Sequence, residues 1–109
     1  MSLDAFFDDN AGDGRDVKAI KELIHRRRMQ MLIHSCIYYE LNDNIIDDHT
    51  WQTWADELQQ LQKDNPDLKE IDEWDYNFRN WDGATGNHLP HRHPRVYYRA
   101  LQILEANKT

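Results

Sequence analysis

The chain predicts an all-α domain. Two runs of apolar residues recur at helical spacing, over residues 17–41 and 48–63, and only a short polar break separates them. A third such run follows Pro94. Short-looped helices with facing apolar stripes pack as an antiparallel hairpin. The expected architecture is therefore an antiparallel helical hairpin, a short helix or turn, and a C-terminal helix packed across it. A flexible acidic arm at residues 1–16 precedes a single helical domain at 17–109. A chain of 109 residues suffices for one modest core.

The arm holds Asp4, Asp8, Asp9, Asp13 and Asp16 against Arg15 alone, a balance of 1 − 5 = −4. Glycine, asparagine and aspartate crowd its second half, which marks a loop. Its acids do not fall at the spacing of an EF-hand loop. Phe6 and Phe7 are available to dock on the body. The whole chain carries −7, so the remainder carries −7 − (−4) = −3. That charge repels phosphate backbones and disfavours direct nucleic-acid binding. It suits a basic partner or mimicry of DNA.

Asp16 is placed to cap the first helix, about Val17 to Leu41. Ile20, Ile24, Met31, Ser35 and Tyr38 form one stripe, with Leu23, Leu32, Cys36 and Ile37 beside it. Arg26, Arg27 and Arg28 interrupt the stripe and point in different directions, so they read as solvated heads with stems along the apolar surface. A break in this long helix is expected near them. Cys36 has no partner for an internal disulfide, fits a reducing cytoplasm, and reads as a buried small hydrophobe. No apolar run approaches the roughly 20 residues that span a bilayer.

Asn42-Asp43-Asn44 ends that helix with three poor helix formers. Asp47 or Asp48 caps the second, about Asp48 to Lys63. Its Trp51, Trp54, Leu58 and Leu61 give the strongest amphipathic pattern in the chain. Asn65-Pro66-Asp67 ends it. A short helix is expected from Lys69 to about Phe78, then a turn or loop at 82–87 without the lysine of a phosphate loop. His88 to Pro94 is expected to be extended. The last helix, about Arg95 to Ala106, carries Tyr97, Leu101 and Leu104 on one face.

His88, His91 and His93 are weak metal candidates. Imidazoles suit zinc, nickel or copper, but the spacing is no standard zinc signature and no cysteine assists. His25, His34 and His49 are scattered and point to no site.

The run Tyr38-Tyr39-Glu40-Leu41-Asn42-Asp43-Asn44-Ile45-Ile46-Asp47-Asp48-His49-Thr50-Trp51-Gln52, followed by Glu57-Leu58 and Pro66-Asp67-Leu68, carries a resemblance. Over residues 33–68 the chain resembles the N-terminal helical subdomain of bacterial NAD-dependent DNA ligases. Trp81-Asp82-Gly83-Ala84-Thr85-Gly86 with Leu89-Pro90 extends a closer likeness, over most of the chain, to small phage and prophage proteins described as ligase-related. The ligase resemblance implies a site for the nicotinamide mononucleotide half of NAD. Tyr38 stands where a ring-stacking tyrosine stands, Tyr39 where a histidine or second tyrosine stands, and Asp48 on an essential aspartate. Trp51 replaces a tyrosine, and Gln52 replaces a second aspartate with loss of its charge. The ligase nucleophile lies in a lysine-x-Asp-Gly motif. Here Asn80-Trp81-Asp82-Gly83 has asparagine in the lysine position, and an amide nitrogen cannot serve.

The expected function is that of a small phage- or prophage-type binding or adaptor protein in the bacterial cytoplasm. Its ligand would be NAD, nicotinamide mononucleotide, or a host or phage protein of DNA metabolism, and it would not be a ligase by itself. Its many aromatics fit an interface with a host target or a second copy. Two alternatives stand behind this one: an acidic inhibitor of a host DNA-acting protein, and an enzyme acting on nicotinamide nucleotides.

Overall fold

A computed structural model describes residues 14–108. The arm's Phe6, Phe7 and first four aspartates lie outside the described residues. Three helices and no strand occur among those described: α1 (Val17–Tyr39), α2 (Asp48–Asp64) and α3 (Pro94–Asn107). The all-α expectation holds. None of these helices is long and apolar enough to cross a membrane.

The centre of the fold is α1. Both α2 and α3 pack against it, and not against each other. Asp16 caps α1, accepting from the Ala19 amide at 3.1 Å. Its neighbour Arg15 reaches Asn65 Oδ1 at 2.9 Å and Asp67 beyond the end of α2, so this part of the expected arm is tied down. The helix runs without a break for 23 residues. It ends two residues earlier than expected, where the Asp43 amide turns back to the Ile37 carbonyl at 3.1 Å and Asn42 adopts φ 52°. Asparagine tolerates that left-handed conformation better than most residues. Asp47 caps α2 through the Thr50 amide at 2.7 Å.

The core joins Ile24, Met31, Leu32, Cys36 and Ile37 of α1 to Ala55 and Leu58 of α2 and to Val96 and Ala100 of α3. Trp51, Trp54 and Leu61 pack on its edge, as the spacing of α2 requires. Tyr38 departs from its expected stripe and is 56% exposed. On α3 the inward face is Val96, Ala100 and Ile103 flanked by Tyr97 and Leu104, whereas Leu101 is exposed. Pro94 opens α3 instead of preceding it, because the first turn needs no proline N–H.

The segment between α2 and α3 is where expectation fails. Residues 71–80 are consecutive turns, not a helix. The aspartates explain this. Asp75 accepts from the Ile71 amide at 3.1 Å, and Asp72 accepts from the Trp74 amide at 2.9 Å, capturing donors that a helix would use. Residues 86–93 form linked turns, not an extended strand, through Leu89 N to Gly86 O and His93 N to Pro90 O, both at 3.2 Å. Trp74, Phe78, Trp81 and Leu89 from these turns complete the core.

Arg28 holds this segment down. It is 4% exposed, contrary to the reading of all three arginines as solvated. Its guanidinium donates to Asp72 at 2.8 Å, Asp75 at 2.5 Å and Gln62 at 2.9 Å, and lies over the Phe78 ring. Gln62 in turn donates to the Phe78 carbonyl at 2.9 Å. Removing one partner of a buried ion pair strands the other's charge. Arg28→Ala is therefore expected to cost about 3–5 kcal/mol in urea unfolding. Burial pushes the Asp75 carboxyl up, but hydrogen bonds from Arg28 and from the Asp72 and Ile71 amides, together with the arginine's charge, hold it below its ordinary value. A carboxyl depressed on folding stabilises above its unfolded pKa and loses that contribution as pH falls through the folded one. Stability measured from neutral pH downward should thus fall below about pH 4, and Asp75→Asn should flatten that limb while lowering stability at pH 7.

Candidate functional site

A cleft of about 360 Å³ opens where the C-terminal turn of α1, the start of α2 and the loop at 82–87 meet. That volume lies at the low end for small-ligand pockets. Tyr38, Tyr39, Asp48, Trp51 and Gln52 all line it. So do His34, Ser35, Asn44, Ile45, Ile46, Asp47, Ala84, Thr85 and Gly86.

Each of the five expected residues has a definite place. The Tyr38 ring meets Tyr39 edge-on at 4.9 Å between centroids and otherwise faces solvent. Tyr39 stacks on His91 at 5.2 Å and 12°, and its hydroxyl lies 3.2 Å from Thr85 Oγ1. It ties the loop to α1. Trp51 is half-buried, tilted on Trp81 at 6.2 Å. Gln52 donates through Nε2 to the Gly83 carbonyl and to Asp56, both at 2.9 Å. Its amide group holds the turn at Gly83, whose φ of 76° suits glycine.

Asp47 and Asp48 divide their work. Hydrogen bonding to Thr50 holds the Asp47 carboxyl below the ordinary carboxylate range, consistent with a cap. Asp48 makes no side-chain hydrogen bond or ion pair among the described residues and lies in the exposed first turn. No lysine or arginine lines the cleft. Free carboxylate and aromatic walls therefore favour a flat or quaternary cation over an anion.

Two residues of the lining gave no functional signal by type. Ser35 is 1% exposed, and its Oγ has no hydrogen-bond partner among the described residues. His34 Nδ1 is likewise buried and unpartnered, and burial lowers the imidazole's pKa, so the ring is neutral. Their positions three and four residues before Tyr38 were the available clue, since such neighbours share a helix face. Cys36, behind them, is no nucleophile: burial, with the Glu40 charge, pushes its thiol up to about 11.

The histidine trio does not assemble. His91 is buried and donates from Nε2 to the Gly86 carbonyl at 2.7 Å, with Nδ1 3.5 Å from Glu40. His93 caps α3 through the Arg95 amide and meets Trp74 edge-on. His88 lies near Trp81. Among the described residues no three histidine, cysteine or acidic side chains are placed to hold a metal ion.

Compared with family models, with curated proteins and with solved structures, the chain matches none.

Gly86 packs tightly against the cleft wall. A Cβ there would lie 2.0 Å from Ser35 Oγ, 2.9 Å from Ser35 Cβ and 3.3 Å from the Trp51 ring. Gly86→Ala should cost about 1–3 kcal/mol by overpacking. Ser35→Ala alone should be neutral or slightly stabilising, because it removes an unsatisfied buried hydroxyl. In the double variant it should recover part of the Gly86→Ala loss, a non-additivity readable from a denaturation double-mutant cycle.

Proposed function

We propose that this chain is a small binding or adaptor protein whose cleft takes the nicotinamide end of NAD or nicotinamide mononucleotide. The carrying observation is that Tyr38, Tyr39, Asp48, Trp51 and Gln52 line one cleft in which Asp48 alone of those five offers an uncommitted carboxylate. The oxidised nicotinamide ring is flat and cationic. Tyr38 and Trp51 offer aromatic surface for it, and Asp48 offers a countercharge or an acceptor for a ribose hydroxyl. Tyr39 and Gln52 act indirectly, by holding the loop that closes one side. The resemblance of residues 33–68 to the ligase subdomain implies the same ligand. A binding role fits better than catalysis, since the asparagine at position 80 cannot replace a nucleophilic lysine and the Cys36 thiol is held protonated.

Titration with NAD and nicotinamide mononucleotide, followed by tryptophan fluorescence and calorimetry, tests this. Saturable quenching is expected, because Trp51 lines the cleft. Asp48→Asn should weaken binding about tenfold or more, the loss of a charge-assisted contact of about 1.5–3 kcal/mol. Tyr38→Ala should weaken it as well, with unchanged circular dichroism. Absence of saturation at millimolar ligand, in wild type and Asp48→Asn alike, sinks the reading.

A further inference from the structure

A second concavity, about 920 Å³ and more open, runs between α1 and α3 and reaches Ile71 and Asp72 of the turn segment. Its lining includes the apolar Met29, Ile33 and Ile103. From Lys21 to Ile33 it follows α1 for thirteen residues, about 18 Å of helix. That is room for three turns of a second helix laid alongside.

The charge on its edges runs against the rest of the molecule. Lys21, Arg26, Arg95 and Arg99 line it, against Glu22 and Asp72, a local balance of 4 − 2 = +2 in a chain of −7. Asp72 is already engaged by Arg28, and Arg95 pairs with Glu73. Lys21, Arg26 and Arg99 have no carboxylate partner among the described residues. Three cations without a carboxylate partner among the described residues, of which Arg99 donates to Gln102, therefore border an apolar floor.

We propose that this groove docks an acidic amphipathic helix of a partner protein. The floor would receive its apolar residues at i, i+3 or i+4, and i+7, and the arginines and Lys21 would pair with carboxylates on its flanks. The apolar floor favours a peptide over a phosphate backbone, which has no apolar face to bury, and the chain's net charge repels nucleic acid at longer range. The groove shares only His34 with the cleft at Tyr38 and Asp48, and the proposal stands whether or not that cleft binds a nucleotide.

The test is a selection from an unbiased 16-residue peptide library displayed on the immobilised full chain, followed by anisotropy titration of the recovered sequences. Recovered peptides are expected to combine four or more Asp or Glu with Leu, Ile or Phe at helical spacing. The double reversal Arg26→Glu/Arg99→Glu alters two exposed residues, so the fold should persist by circular dichroism. It should weaken binding at least tenfold, whereas Tyr38→Ala should leave it unchanged. Neutral or basic recovered sequences, or binding that survives the reversal, overturn the proposal. Tighter binding of a 20-base-pair duplex through the same arginines would assign the face to nucleic acid instead. A dimer in sedimentation that the reversal dissociates would assign it to a second copy of the chain, which equally overturns the proposal.

Discussion

The buried guanidinium of Arg28 decides the shape of everything between α2 and α3. Residues 71–80 have the aromatics to fill the core but not the local preference to form a helix, because Asp72 and Asp75 draw the backbone amides to their own carboxylates. Two carboxylates drawn toward an apolar interior need a countercharge, and Arg28 supplies it from the middle of α1 with Gln62 completing its donors. Such a network adds little net stability over an apolar core, yet it is costly to break. Its consequence here is positional. It fixes the start of the turn segment on α1 and α2, so that Phe78 and Trp81 fall onto the core and the Trp81 indole donates to the Ala55 carbonyl at 3.0 Å.

From Trp81 onward the chain is committed to lying over the end of α1. The loop at 82–87 has three attachments: Gln52 of α2 to the Gly83 carbonyl, Tyr39 of α1 to Thr85, and His91 before α3 to the Gly86 carbonyl. Gly86 then sits so close to Ser35 that no side chain fits between them. These contacts use polar groups from α1, α2 and the pre-α3 turns, and they leave Asp48 and the face of Tyr38 unused. The cleft is thus what remains after the loop has satisfied its own needs. A hydrogen bond from Arg92 to Glu40, which holds that carboxyl below its ordinary value, adds a further tie at the surface.

The helices were legible because their signals are periodic and local: the caps at Asp16 and Asp47, and the Trp51–Trp54–Leu58–Leu61 spacing, need only neighbouring residues to be read. The five cleft residues came from a resemblance, and their shared lining of one cavity is a fact of the fold. What stayed hidden depends on distant partners. Nothing in Arg26-Arg27-Arg28 says which arginine turns inward; that is settled by aspartates 44 and 47 residues downstream. The same holds for Ser35, crowded by Gly86, and for His34, whose ring meets Trp54. The turn at 71–80 was legible in part, since aspartates compete with helix, but the aromatic density of the segment hid it.

His34 joins the two concavities. It lines the cleft on one side and the groove between α1 and α3 on the other, with its ring tilted on Trp54 at 5.5 Å. Its buried Nδ1 lacks a hydrogen-bond partner among the described residues, and burial lowers the imidazole's pKa. A ring in that state is held by packing on Trp54, whereas the loop beside the cleft is held by directed hydrogen bonds. Apart from His34, the two concavities have no lining residue in common.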